Sequence, residues 1–282
     1  MKVGCIIYSD HIKYKKLHEC AERSFLKFHP EIDLFSLDYR HEIIKNEQKK
    51  GKILAGPFKY ILAYEIFKQF NLDKIIVLGA DTITCSRLDE FLDDNSNDII
   101  ATLDYPYPLI TAGKIFSQEH NHLNADVVCF NNPLAILDIL EEYRKFPTEY
   151  YEQAALNYVC HVKQSFKFSI ADGDYDTSSV VYNARAKGNM CAVPYTSPWG
   201  EFVSKFEVKD NKLYTGTHRN VSKSKQIKVW HYCDGLGTQD NNNFSKIINA
   251  WLNENFNEET KNFFKNNCDC GDFFNKPFSV DE

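Results

Sequence analysis

The sequence predicts one α/β domain built on a mostly parallel sheet with helices on both faces. Three observations carry this. Short apolar, β-branched runs alternate with helical periodicities over the first half of the chain. One of them, KIIVLGAD, is apolar throughout rather than alternating, the pattern of a central strand covered on both faces. No repeat, low-complexity tract or linker interrupts the 282 residues, which suffice for one large domain.

The elements run in order along the chain. Val3–Ser9 (VGCIIYS) reads as a buried first strand. Leu17, Ala21, Phe25 and Phe28 recur at helical spacing until His29-Pro30 stops the run. Asp33–Leu37 reads as a second strand, and the charged stretch His41–Lys52 as a surface helix or loop. Pro57 opens a helix whose buried face is Phe58, Leu62, Ile66 and Phe70. After KIIVLGAD come strands at Asp98–Leu103 and Asp126–Phe130. Asn131-Asn132-Pro133 starts a helix to about Tyr143, and a second covers Glu149–Val159. Beyond residue 165 the pattern loosens. Ile227–His231 reads as a late strand and Phe244–Phe256 as an apolar-faced helix. One main unit over 1–240 with a helix and tail over 241–282 is the expected division.

Composition excludes some functions. The formal net charge of −6 argues against a nucleic-acid partner. The opening MKVGCIIYSD is too short in its apolar part for a signal peptide, and no 18-residue apolar stretch exists. Nine irregularly spaced cysteines read as reduced thiols. Together these give the expectation of a cytoplasmic chain without a transmembrane segment, with peripheral membrane association left open. Cys268 and Cys270 lack evident co-ligands and read as part of a tail.

Neither GxGxxG nor GxxxxGK[ST] occurs, so no glycine-rich phosphate loop is indicated. The physical alternative for holding a diphosphate is a strand-end carboxylate with a divalent cation. Mg²⁺ and Mn²⁺ favour oxygen ligands, and Mn²⁺ also accepts imidazole. In open α/β sheets ligands bind beyond the carboxyl ends of the strands, which places Ser9-Asp10 and Gly79–Asp81 on one rim.

Taken in order, IIYSDHIKY, PFKYILAYEIF, KIIVLGADTITCSRLDEFL, LNADVVCFN, YYEQAALNYV, VYNAR and VWHYCDG resemble the successive blocks of one family. It is the retaining GT-A family that includes glycogenin and bacterial lipopolysaccharide galactosyl- and glucosyltransferases (glycosyltransferase family 8). The collinear series runs from residue 3 to about 235. It departs from the family in three places. Gly79 stands where the first aspartate of the DxD motif is usual, Glu152 stands for an aspartate, and Gly235–Thr238 replace a lysine-bearing block.

The resemblance implies a GT-A fold and transfer of a hexose from a UDP-sugar, UDP-galactose or UDP-glucose favoured, to a glycan or glycolipid with retention. It implies that Asp81 and His231 share Mn²⁺ or Mg²⁺. Gly79 and Ala80 would let the backbone approach the ribose and diphosphate, with Tyr8, Ser9 and Asp10 at the nucleoside. Lys59 would contact the donor, Asn124 and Ala125 would lie along its sugar, and Glu152 and Gln153 would stand at the reacting face. Asp104 would bond sugar hydroxyls, with Tyr105 and Tyr107 as an acceptor wall. The basic stretch His218–Lys225 reads equally as a lid or a solvated connection.

Plainer readings stand beside these. Asp81 alone is an ordinary turn residue, and His231 alone a core histidine. Lys59 and Glu152 could be helix-surface charges, and Gln153 with Asn157 a surface pair four residues apart. His120-Asn121-His122 and the aspartates of ADGDYD are better read as loop and turn than as nuclease or calcium motifs. Two rival functions remain open from sequence: a non-catalytic binder of nucleotide-sugar or carbohydrate, and another nucleotide-using α/β enzyme such as a nucleotidyltransferase.

Overall fold

The computed structural model describes residues 1–50, 56–103, 123–145, 151–171, 180–187, 191–192, 206–210, 212–215 and 226–232. Asp104, Tyr105, Tyr107, the 218–225 stretch, the HNH and ADGDYD segments and all of 241–282 lie outside the described residues.

The first half runs β1 (Val3–Tyr8), α1 (Lys15–Phe28), β2 (Asp33–Leu37), α2 (Glu42–Lys49), α3 (Pro57–Gln69), β3 (Lys74–Gly79) and β4 (Thr82–Thr84). Next come α4 (Asp89–Asp93), β5 (Ile99–Leu103), β6 (Leu123–Phe130), α5 (Pro133–Lys145), α6 (Tyr151–Asn157) and β7 (Phe168–Ile170). The last strands are β8 (Val180–Lys187), β9 (Cys191–Ala192), β10 (Phe206–Lys209), β11 (Lys212–Thr215) and β12 (Gln226–Tyr232).

The main sheet has the order β2-β1-β3-β6-β5-β7. Both neighbours of β6 run opposite to it, while the β1–β2, β1–β3 and β5–β7 pairs are parallel. Five strands therefore point one way and β6 the other, so the chain is α/β with a mostly parallel sheet, as the sequence predicts. β3 is buried along its whole length. Its odd-numbered apolar residues Ile75 and Val77 face a layer of α3, α5 and α6 side chains, including Tyr60, Ala63, Ile136, Ile139 and Leu156. Ile76 and Leu78 face Ala21, Phe25 and Phe91 of α1 and α4. Each such side chain taken from water contributes about 1.5–3 kcal/mol, which is why this run needs no polar alternation.

The helices begin and end for local reasons. Pro57 occupies the first turn of α3, where its missing N–H is no loss. Helix α1 stops at His29, whose extended φ of −135° suits a residue before proline. The expected Glu149–Val159 helix is α6, prolonged as a wider π turn through Lys163 and closed by Gln164 in the left-handed region. Two differences from expectation shape the carboxyl rim of the sheet. β6 starts three residues earlier, at Leu123, and the three-residue β4 has no sequence counterpart.

A second sheet orders β10-β11-β12-β8-β9, with β4 also pairing β12. β12 thus starts beside β11 and ends beside β4, since Gln226 faces Tyr214 while Val229–His231 face Thr84–Thr82. This short antiparallel ladder ties the turn after β3 to β12, far along the chain.

Candidate functional site

Gly79 ends β3 at the carboxyl rim, and Ala80-Asp81 turns the chain into β4. The β4–β12 ladder sets Thr82 opposite His231, so the residue before Thr82 meets the imidazole. His231 Nε2 lies 3.3 Å from Asp81 Oδ1. The imidazole is buried and the carboxylate remains partly open. Two side chains distant in sequence are thus brought together at the strand ends. A carboxylate oxygen and an imidazole nitrogen form a donor set that suits Mn²⁺, and the oxygen suits Mg²⁺.

A second polar group lies beside this pair. Lys59, in the first turn of α3, is buried, and its Nζ donates to Asp126 Oδ1 and, at 2.7 Å, to Glu152 Oε1. Against the cost of burial, the two carboxylates hold the ammonium well above its ordinary pKa. The Glu152 carboxyl is pushed up, first by burial and also by Asp126, with Lys59 opposing. The Asp126 carboxyl is held low by Lys59 and by nearby His231, despite the burial that works against its charge. Gly56 is required here, because a Cβ at that position would lie 2.1–2.4 Å from the Glu152 carboxylate.

The sugar-side residues are held by the start of β6. Ala125 N–H donates to Gln153 Oε1 at 3.1 Å, and Tyr60 Oη donates to Ala125 O at 3.0 Å. Asn157 accepts from Leu123 N–H at 2.7 Å and donates to Leu123 O at 2.9 Å, so α6 clasps the strand's first residue. Asn124 Oδ1 accepts from Asp126 N–H at 2.8 Å. Gln153 and Asn157 therefore act inward against β6, not as a surface pair.

At the end of β1, Tyr8 pairs with Gly79 in the ladder. Its ring packs against Phe58, 6.0 Å between centroids. Its hydroxyl is buried without a hydrogen-bond partner among the described residues, and burial, with Asp10 and Glu152, pushes the phenol pKa up. Ser9 is 4% exposed and its Oγ bonds His18 Nδ1 at 2.9 Å. His18 continues to Ser36 at 2.7 Å and Ser36 to Glu22. Asp10 is more open, and its carbonyl accepts from Gln48 at 2.6 Å.

Among the sequence candidates, Asp81, His231, Gly79, Lys59, Glu152, Tyr8, Asn124, Ala125 and Gln153 gather at one rim. Ser9 is turned toward α1. Asp126 is the residue that sequence reading missed as a functional group. Its signal is a lone acid inside the otherwise apolar LNADVVCF.

Fold and rim define an α/β protein with charged groups gathered past the ends of its parallel strands, where such sheets bind ligands. No family model matches the chain, and no curated protein matches it. Among solved structures it is similar to galactosyltransferase LgtC in complex with donor and acceptor sugar analogs. That match has 16% identity, covers 93% of this chain and 100% of that one, and has a TM-score of 0.48. It is also similar to a glycosyltransferase involved in glycosylation of the major capsid of PBCV-1 (10% identity, 60% and 82% covered, TM-score 0.43). A third is mouse xyloside xylosyltransferase 1 (10% identity, 65% and 87% covered, TM-score 0.40).

Proposed function

We propose that this chain is a GT-A-type glycosyltransferase that moves a hexose from a UDP-sugar to a glycan or glycolipid acceptor, aided by a divalent cation. The observation that carries the proposal is the 3.3 Å approach of His231 to Asp81 at the carboxyl rim. The ordered motif series in the sequence points to the same pair. UDP, and UDP-galactose or UDP-glucose as donor, rest on that series. Transfer with retention, the Mn²⁺ or Mg²⁺ requirement and a cytoplasmic site of action rest on the sequence reading too. No helix among the described residues is long and apolar enough to cross a membrane.

Asp81 and His231 would hold the cation, which supplies Lewis-acid neutralisation of the charge left on the departing diphosphate. Gly79 and Ala80 present backbone without bulk beside it. Lys59 keeps its proton because two carboxylates surround it, so its ammonium stays in place to hold Asp126 and Glu152 at the rim. Gln153 orients the Asn124–Ala125 strand start on which the donor sugar would lie. Glu152, held by Lys59, is the proposed acid at the reacting face, with Gln153 and Asp104 completing the set. Tyr8, whose hydroxyl has no hydrogen-bond partner among the described residues, offers it to a polar ligand at the ends of β1 and β3.

The test is donor turnover. Purified chain is incubated with UDP-galactose and UDP-glucose, with Mn²⁺ or with EDTA, and free UDP is measured. The proposal expects UDP release that needs the cation and falls at least about a hundredfold in Asp81→Ala and His231→Ala, roughly the scale of losing one electrostatic group from a transition state. Saturable donor binding without UDP release or sugar transfer to any glycan acceptor would favour a non-catalytic binder instead.

A further inference from the structure

Asp81 and His231 give a divalent cation two protein donors, and such cations take six or more ligands. The geometry around Gly79 locates a third. A Cβ at Gly79 would stand 2.9 Å from Asp81 Oδ1. The same Cβ would stand 3.1 Å from Asp126 Cβ and 3.4 Å from Asp126 Cγ. The two carboxylates therefore both approach a single glycine. Strand register is the cause. β3 and β6 pair antiparallel with Leu78 opposite Val127, and one step further along the ladder brings Gly79 opposite Asp126.

Asp126 is also the acid best able to turn. It is more exposed than Glu152, at 35% against 7% for the side chains. Its partner Lys59 keeps a second counter-charge at 2.7 Å in Glu152, so releasing Asp126 does not strand a buried ammonium. A second, independent sign of a polar ligand at this point comes from the opposite neighbour of Gly79. Tyr8 is more than nine-tenths buried, and its hydroxyl has no partner among the described residues. Among the described residues no three His, Cys, Asp or Glu groups already surround one point, and rotation of Asp126 away from Lys59 is the change that would bring three together.

We infer that Asp126 is the third cation ligand of this rim, exchanging Lys59 for a divalent cation held with His231 and with Asp81, whose carboxylate it approaches across Gly79. The inference rests on the reading of Asp81 and His231 as a cation pair. It adds that the acid of β6, not a further residue of the β3 turn, completes the set.

Mn²⁺ binding to the full chain, followed by the EPR signal of free Mn²⁺ in the presence of UDP, tests this. Asp126→Asn keeps shape and hydrogen bonding but loses charge. Loss of even an outer partner of a metal weakens binding about 10–100-fold, so Asp126→Asn is expected to weaken it at least about tenfold. The Gly79→Asp, Asp126→Gly double variant moves the carboxylate across the ladder and removes the Asp126 Cβ that a side chain at Gly79 would crowd, leaving only the end of Asp81 to give way, and is expected to recover most of the loss. Thermal melts confirm that each variant folds. Wild-type affinity in Asp126→Asn, with weak binding in Asp81→Asn, would overturn the role of Asp126 and keep the pair. Wild-type affinity in both, or no binding by the unaltered chain, would overturn the pair and the third ligand together.

Discussion

Among the described residues, two lysines are buried against the main sheet, Lys74 in β3 and Lys59 in α3, one near each end of β3, and they are handled in opposite ways. Lys74 opens the strand and is 1% exposed. Its ammonium is met by neutral groups, the carbonyls of Phe91 at 3.0 Å and Asp94 at 2.5 Å, and burial draws its pKa down. Lys59 sits over the other end, 4% exposed, and is met by two carboxylates that hold its pKa up. At the amino rim the charge closes a structural joint between β3 and the α4 region. At the carboxyl rim charges of both signs are gathered where the strands point. Burial alone does not mark a functional lysine; the kind of partner does.

The largest expected effect breaks the carboxylate-rich end. Lys59→Met leaves Asp126 and Glu152 facing each other without their cation. Removing one member of a buried ion pair costs about 3–5 kcal/mol, which urea denaturation would read. Glu152→Gln in the same chain should recover part of it. A loss no greater than that of Lys74→Met would erase the distinction between the two ends. Lys74→Met itself leaves two carbonyls without a donor, and about 1–3 kcal/mol is expected. It should not alter Mn²⁺ binding.

Gly56→Ala sharpens the comparison from the other partner. Its Cβ would overlap the Glu152 carboxylate at 2.1–2.4 Å, so Glu152 must leave Lys59 or the backbone must shift. Overpacking of this kind costs about 1–3 kcal/mol. The expected sign of the Glu152 role is a drop in UDP release larger than the drop in stability explains.

A last effect, seen only on acidification, extends the neutral-partner rule to pH. His29 is fully buried, and its Nε2 accepts from Leu88 N–H at 3.0 Å, which requires an unprotonated nitrogen. Burial first, then Arg87, lowers its pKa from 6.5 to about 4. The folded chain thus resists a proton that the unfolded chain takes up. This contribution is whole above pH 6.5 and is lost as pH falls toward 4. Thermal melts should show that limb, and His29→Gln should flatten it.

Much of the fold is legible in the sequence because its cause is local. KIIVLGAD reads as a central strand since both faces are apolar, and Pro57 and Pro30 mark helix boundaries by steric rules. The meeting of Asp81 with His231 has no local cause. It depends on a three-residue strand, Thr82–Thr84, pairing with one far along the chain, and three residues are too few for periodicity. Sequence reached that pair only through resemblance to a family. The early start of β6 was hidden for a related reason. Leu123 and Ala125 are fixed in the strand by Asn157 and Gln153 from α6, and spacing within α6 points those side chains as readily to solvent. Asp126 then looks like a strand's polar first residue instead of an acid set in its middle.

Pulsed EPR of Mn²⁺ bound to the chain in the presence of UDP tests the central claim most directly, because a ligating imidazole leaves nitrogen coupling on the metal signal. The account predicts that coupling in the unaltered chain and its disappearance in His231→Ala, with a weakened bound signal in Asp81→Ala. Bound Mn²⁺ without nitrogen coupling, or coupling that survives His231→Ala, would contradict it.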